Sequence, residues 1–199
     1  MQLILASSSS YRQQQLTTLR LPFNCHSPNI DETPLPNERP IDLCRRLALE
    51  KAKASSKLFK NHLIIGSDQV AQCDNSLLCK PGTTENAIAQ LQQCSGKAVA
   101  FYTGIALFNS KKNTYQLDVA TFTVHFRELS TLEIENYIQT EKPLQCAGAF
   151  MVEGLGITLF ERLEGADHNS LIGLPLIKLC NLLRNEGINP LTPQASNLI

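Results

Sequence analysis

The sequence predicts an α/β fold with a mixed sheet, and three observations carry that reading. Apolar runs at residues 3–6 and 63–65 have the length and continuity of strands buried on both faces. Helical periodicity fills the stretches around them, most clearly at 41–59 and 174–184. Two long runs rich in aromatic and β-branched residues, 98–108 and 115–126, flank the polar segment Asn109-Ser110-Lys111-Lys112-Asn113. That is the pattern of an antiparallel hairpin.

Taken in order, residues 3–6 form a first strand, and the serines at 7–10 lead into a helix at 11–19. Serine caps a helix well, and a strand–serine loop–helix arrangement leaves a helix N-terminus able to hold an anion. Residues 22–40 are rich in Pro, Asn and Asp and read as a long irregular loop carrying Asp31-Glu32-Thr33 between Pro28 and Pro34. Long loops within a compact domain are often functional. On the helix at 41–59, Cys44, Leu47, Ala48, Ala52 and Ser55 share one face, with Lys51 in its middle. Lys53 and Lys57 fall on the opposite face, where lysine belongs. A lysine inside an apolar stripe must snorkel, pair with an anion or meet a ligand.

The strand at 63–65 is expected to end at Gly66, so that Asp68 stands at a strand end. Ligands of open α/β sheets collect outside the carboxyl ends of strands. A carboxylate there is a candidate general base or metal ligand, and the cation of Lys80-Pro81-Gly82 follows on a stiff turn. Thr83 caps a third helix, 83–95, with Glu85 in its first turn and Gly96 beyond its end. Ser130-Thr131-Leu132-Glu133 is a capping box opening a helix to about residue 140. Residues 157–163 read as another strand and 174–184 as the last helix. With no repeat and no clear linker, residues 1–190 are expected to form one domain and 191–199 a frayed tail.

Composition narrows the function. In a chain of 199 residues, 43% hydrophobic and 18% charged, 18 basic residues balance 18 acidic ones. Polymeric nucleic acid and anionic membranes call for a basic surplus, so neither is an expected partner. A small anion needs only a local cluster of cations. The cysteines, seven of them, show no C-x-x-C pair, which argues against a disulfide framework or a structural zinc site and for buried free thiols. The N-terminal segment lacks the basic region of a signal peptide, and no apolar stretch approaches membrane-spanning length. Reduced thiols without an export signal predict a cytoplasmic protein.

The usual nucleotide signatures are missing. There is no G-x-x-x-x-G-K-[ST], and Gly154-Leu155-Gly156 lacks both the third glycine and the preceding strand of a dinucleotide site. His26, His62, His125 and His168 are scattered and expected to be structural. What remains is Glu32, Lys51, Asp68, Lys80 and Glu153, each in an unusual local setting. Acids that hold a divalent ion and orient water, with lysines that neutralise phosphate charge, suit metal-assisted attack on a phosphoanhydride.

Together these segments resemble the Maf family of nucleoside triphosphate pyrophosphatases. Ala6-Ser7-Ser8-Ser9-Ser10-Tyr11-Arg12 is similar to that family's opening A-S-x-S-P-x-R. Asp31-Glu32-Thr33, Glu50-Lys51-Ala52, Gly66-Ser67-Asp68-Gln69 and Cys79-Lys80-Pro81 match later blocks in order, as do Phe101-Tyr102-Thr103-Gly104, Cys146-Ala147-Gly148 and Gly173-Leu174-Pro175. The resemblance covers about residues 3–190, and the branch it points to is the bacterial 7-methyl-GTP pyrophosphatase.

The resemblance implies a Maf/ITPase-like α/β fold, a mixed twisted sheet flanked by helices with two lobes around a deep cleft. It implies hydrolysis of 7-methyl-GTP to 7-methyl-GMP and diphosphate with a divalent cation, Mg²⁺ or Mn²⁺. Asp68 would be the proton acceptor, with Lys51 and Lys80 in the catalytic set. Ser7, Arg12, Lys51 and Lys80 would hold the phosphates, Glu32 and Asp68 the metal, and Tyr11, Gln69 and Glu153 the base. A homodimer is compatible with it. Ser10 stands in place of the family's usual proline, and Tyr11 where the pyrimidine branch has arginine and this branch commonly tryptophan. The alternatives are a dTTP/UTP pyrophosphatase of the same family, which Tyr11 and Glu153 do not favour, and a non-catalytic nucleotide-binding regulator of cell division, which the retention of Lys51, Asp68 and Lys80 does not favour.

Overall fold

The computed structural model describes residues 1–192. It is an α/β structure with a seven-stranded mixed sheet in the order β2-β1-β3-β5-β6-β7, with β4 paired to β3. The strands are β1 (Gln2–Leu5), β2 (Phe23–Cys25), β3 (His62–Cys73), β4 (Ser76–Leu78), β5 (Ala98–Asn109), β6 (Thr114–Phe126) and β7 (Phe160–Gly165). The helices are α1 (Ser10–Thr17), α2 (Pro40–Ser56), α3 (Thr84–Cys94), α4 (Thr131–Glu141), α5 (His168–Ile172) and α6 (Leu176–Asn185). The chain divides into two compact units; three of the four boundaries fall inside β3, β5 and β6, and the fourth lies between β7 and α5. The expected tail at 191–199 lies almost wholly outside the described residues.

The first unit comprises residues 1–68, 103–120 and those from 167 on. Here β1 pairs in parallel with both β2 and β3, placing Leu3 opposite Phe23 and Leu63. Alternate side chains go to opposite faces of a strand. Leu3, Leu5, Leu63, Ile65, Ile105 and Leu107 therefore pack with Leu16 of α1 and with Leu179 and Leu183 of α6. Ile4, Ile64, Ala106 and Phe108 pack with Ala48 and Ala52 of α2 on the other face. Burial on both faces is why these strands read as unbroken apolar runs.

The approach of α2 depends on two glycines. A Cβ at Gly66 would stand 2.1 Å from the Ala48 carbonyl oxygen, and one at Gly104 would stand 2.3 Å from that of Cys44. Gly66 thus admits a helix backbone rather than making a turn. The strand does not end there: β3 continues to Cys73, so Asp68 stands within a strand and not at its end.

The second unit comprises residues 69–102 and 121–166. In it β3 and β4 form an antiparallel pair, Ala71 opposite Leu78, and β6 pairs antiparallel with β7, Phe122 opposite Gly165. Phe101, Phe126, Phe150 and Phe160 meet edge to face, with ring centroids 4.8–5.7 Å apart. Thr83 caps α3 and the Ser130–Glu133 capping box opens α4, both as their residue types predict.

Four further expectations need correction. The stretch 22–40 is not wholly irregular, because β2 lies in it and extends the sheet by pairing with β1. The strand placed at 157–163 begins only at Phe160, after a 3₁₀ turn at Leu155–Leu159. The last helix starts at Leu176, and the short helix α5 precedes it. The thiols are free as expected, yet Cys25 and Cys79 are exposed rather than buried. Among the described residues no helix is long and apolar enough to cross a membrane.

Candidate functional site

Lys51 is the centre of the first unit's polar constellation. It lies on the α2 face that packs on the sheet, between Ala48 and Ala52, and is buried. Its ammonium reaches Asp68 Oδ1 at 2.6 Å and Glu32 Oε1 at 2.7 Å. The side chains of Lys51 and Asp68 are 11% and 10% exposed, whereas that of Glu32 is 57% exposed. The pair Lys51–Asp68 is therefore shielded from water, and Glu32 meets it from the solvent side.

Asp68 feels opposing influences. Burial raises its pKa above the ordinary 3.8 and is the largest effect; the charges of Lys51 and Arg12 and the Lys51 hydrogen bond pull it down, while Glu32 pushes it up. The carboxylate is thus a stronger base than a solvated one and remains paired to a cation. Its field reaches the neighbouring Cys44, whose thiol is pushed up to about 12, first by burial and then by Asp68.

Arg12, on the first turn of α1, supplies a second cation. Its Nε donates to the Gly173 carbonyl at 2.8 Å. Close packing by protein lowers its pKa, and the charges of Asp68 and Glu32 oppose that. The same Gly173 carbonyl accepts from Ser67 Oγ at 2.9 Å, and Ser67 Oγ stands equally close to the Gly104 carbonyl. A hydroxyl has one hydrogen, so it serves one of these carbonyls at a time. Gly173 has φ +125°, a conformation that favours glycine, and this turns its carbonyl toward both donors. Ser7 is buried beside the start of α1, where its Oγ accepts from the Ser9 N–H at 3.1 Å; Ser9 Oγ in turn caps the helix at the Arg12 N–H. Tyr11 stands next in the helix, 39% exposed.

Arg46 is a participant that no motif or periodicity singles out. From α2 it grips Glu38 through two hydrogen bonds, 2.7 and 2.8 Å, and donates to the Thr33 carbonyl at 3.1 Å. Thr33 follows Glu32 directly, so Arg46 ties down the segment that brings Glu32 to Lys51. Asp31 accepts from the Thr33 N–H at 2.9 Å, tightening the same turn.

The second unit holds Gln69, Lys80 and Glu153. Gln69 is half-buried on β3, and Lys80 and Glu153 are exposed. Both charges act on the half-buried Cys146 thiol, which is pushed up to about 11; burial is the main cause, Glu153 adds to it and Lys80 opposes it. Lys80 and Glu153 therefore share one neighbourhood of this unit.

Fit to a divalent cation rests on donor chemistry. Among the described residues no three His, Cys, Asp or Glu side chains gather into a cage. Glu32 and Asp68 nonetheless place two hard carboxylates on one ammonium. Mg²⁺ is bound by one or two carboxylates together with substrate phosphates rather than by an all-protein cage, so this donor set fits such an ion.

Fold and constellation together define a class: a mixed-sheet α/β protein with a shielded carboxylate paired to a buried lysine. The particular family follows from the sequence as a whole. The model of the Maf-like protein family matches residues 2–186, and the chain belongs to that family. The family generally comprises nucleotide pyrophosphatases.

Proposed function

We propose that the protein is a nucleoside triphosphate pyrophosphatase that cleaves 7-methyl-GTP to 7-methyl-GMP and diphosphate. The observation that carries the catalytic part is Asp68, shielded, raised in pKa and held by Lys51. A general base works best when its pKa approaches the working pH and its position is fixed. Asp68 accepts a proton from water as the water oxygen bonds to the α-phosphorus. The bond from that phosphorus to the oxygen bridging to the β-phosphate breaks, and diphosphate leaves. Lys51 keeps Asp68 ionised and oriented; Arg12, Lys51 and Lys80 offset phosphate charge, and Ser7 joins them in binding the phosphates. Glu32 and Asp68 are the residues to hold Mg²⁺ or Mn²⁺; the ion, when bound, neutralises charge on phosphate oxygens.

Base selection is assigned to Tyr11, Gln69 and Glu153, on the family resemblance. N7-methylation leaves guanine cationic. An aromatic face such as that of Tyr11 attracts a cationic ring by about 0.5–2 kcal/mol. The carboxylate of Glu153 accepts hydrogen bonds from the N1–H and amino edge of guanine and favours the charged ring over neutral bases. The seven free thiols are in keeping with a cytoplasmic setting, which is part of the proposal.

One assay tests it: diphosphate release from 7-methyl-GTP, GTP, UTP and dTTP, each with Mg²⁺, Mn²⁺ or EDTA. The expected result is the highest kcat/KM for 7-methyl-GTP and loss of turnover in EDTA. A preference for UTP or dTTP would move the protein to the pyrimidine branch. Absence of diphosphate from every nucleotide would leave it a binding protein. Glu153→Gln is expected to narrow the gap between 7-methyl-GTP and GTP, and an unchanged gap would remove Glu153 from base selection.

A further inference from the structure

Lys80 and Glu153, two exposed charges of the second unit, are held in the same way. On α3, Asn86 and Gln90 stand one helical turn apart. Asn86 Nδ2 donates to the Pro81 carbonyl at 2.9 Å, and Gln90 Nε2 donates to the Cys79 carbonyl at 2.9 Å. The two acceptors are the residues immediately before and after Lys80. On α4, Tyr137 and Glu141 also stand one turn apart. The Met151 N–H donates to Tyr137 Oη at 2.9 Å, and the Leu155 N–H donates to Glu141 Oε1 at 2.9 Å. These donors lie two residues before and two residues after Glu153.

Residues four apart on a helix face the same way. Each pair is therefore a two-point clamp on the main chain around one charge. Two points fix both the place and the direction of the side chain between them, while leaving that side chain in solvent. The turn bearing Glu153 is closed by the Gly154 N–H on the Met151 carbonyl at 3.3 Å. Glycine fits at 154 because a Cβ there would stand 2.7 Å from the Glu141 carboxylate oxygens, and at 156 because one would stand 2.2 Å from the Met151 carbonyl oxygen. The clamping helix is itself anchored, by its capping box, by Arg127 on Glu133 at 2.8 Å, and by buried Ile134 and Ile138.

We propose that these four side chains are positioning residues with divided effects. The α3 pair sets Lys80 and so acts on the triphosphate, equally for every nucleotide. The α4 pair sets Glu153 and so acts on the choice of base. The inference rests on the pyrophosphatase reading and adds four residues that neither the motifs nor the family match singles out.

The test compares kcat/KM for 7-methyl-GTP and GTP in the wild type and in Tyr137→Phe, Glu141→Ala, Glu141→Gln, Asn86→Ala and Gln90→Ala. Amide hydrogen exchange over residues 151–155 is followed in the same proteins. Tyr137→Phe and Glu141→Ala should each lower the ratio of the two kcat/KM values by about fivefold, chiefly through KM. Exchange at 151 and 155 should quicken in parallel. Glu141→Gln keeps an acceptor oxygen for Leu155 and should restore most of the ratio, which a role through charge would not allow. Asn86→Ala and Gln90→Ala should lower both kcat/KM values by a common factor. An unchanged ratio in Tyr137→Phe and Glu141→Ala, unchanged exchange, or an altered ratio in the α3 variants would overturn the inference. Should Tyr137→Phe fail to fold, the half-buried Glu141 carries the test alone. A wild type without base preference overturns the functional reading as well. A wild type with preference and variants that keep it overturn only the clamps.

Discussion

The two units hold their candidate site charges by opposite means. In the first, Lys51 and Asp68 are buried and bonded to each other, and Arg12 is bonded to a backbone carbonyl. In the second, Lys80 and Glu153 stay in solvent and the backbone beside them is held. The difference has a physical origin. A charge taken out of water needs a partner of opposite sign or a dense set of hydrogen bonds. A charge left in water needs neither, but its direction has to be fixed from outside. Under the proposed function, tuned basicity would belong to the first unit and recognition by placement to the second.

The sharpest way to break that contrast is Asp68→Asn. The amide keeps the shape of the carboxylate and an oxygen for the Lys51 ammonium, so the fold should survive. It cannot take a proton, and turnover should fall by about 10²–10⁴-fold. Diphosphate release under saturating substrate, with a thermal melt alongside, checks both parts. Near-normal turnover would move the base elsewhere and strip the first unit of its chemical role.

Lys51→Met follows, because it leaves a buried carboxylate without its nearest cation. Breaking a buried pair from one side costs about 3–5 kcal/mol. The sign of the pH effect follows from the forces on Asp68. Burial already raises its pKa, and Lys51 is the largest influence pulling it down. Without Lys51 the carboxylate protonates at higher pH, so the acid limb of any residual activity should move upward. Stability moves the other way. A carboxyl whose folded pKa lies above its unfolded value stabilises the fold when protonated and loses that contribution as pH rises through the folded pKa. The penalty of Lys51→Met should therefore be smaller at mildly acidic pH than at neutral pH. Denaturant titrations at the two pH values check this, and an equal penalty at both would mean that Asp68 is not strained by its burial.

Part of this arrangement could be read from the chain. The wheel places Lys51 inside an apolar stripe because helical periodicity is local, and an ammonium there has to snorkel, pair with an anion or meet a ligand, of which the fold shows the pairing. The Ser130–Glu133 box and the Thr83 cap were legible for the same reason. Gly66 was not. Glycine frees the backbone for a turn, but it also lets another backbone come close, and only the position of α2 tells the two apart. The clamps were hidden because a polar side chain on a helix carries no mark of which backbone group it will meet, as with the Tyr137 hydroxyl and the Met151 N–H. Strand β2 was hidden because three residues among prolines give no periodicity to read.

Gly66→Ala tests the close approach of α2 directly. The added Cβ would press on the Ala48 carbonyl at 2.1 Å, and since the obstacle is backbone, α2 has to shift. Overpacking of this kind costs about 1–3 kcal/mol. Because Lys51 rides on α2, kcat should fall together with stability. A melt that drops while kcat stays unchanged would show that the Lys51–Asp68 pair tolerates movement of its helix.

The smallest expected effect belongs to Arg46, which acts on Glu32 only through the loop. Its planar fork meets both oxygens of Glu38 while also reaching the Thr33 carbonyl, a set of bonds that lysine cannot reproduce. Glu32 itself is more than half exposed, so its ion pair with Lys51 is worth at most about 1 kcal/mol. Arg46→Lys should raise KM by about threefold and move the melting temperature only slightly. Arg46→Ala should do the same somewhat more strongly, since it also leaves Glu38 without its cation. Initial-rate measurements over a range of nucleotide concentrations would detect either change. An unchanged KM in Arg46→Ala would mean that Lys51 alone keeps Glu32 in place, and the first unit would then hold its exposed carboxylate by pairing, as it holds its buried one.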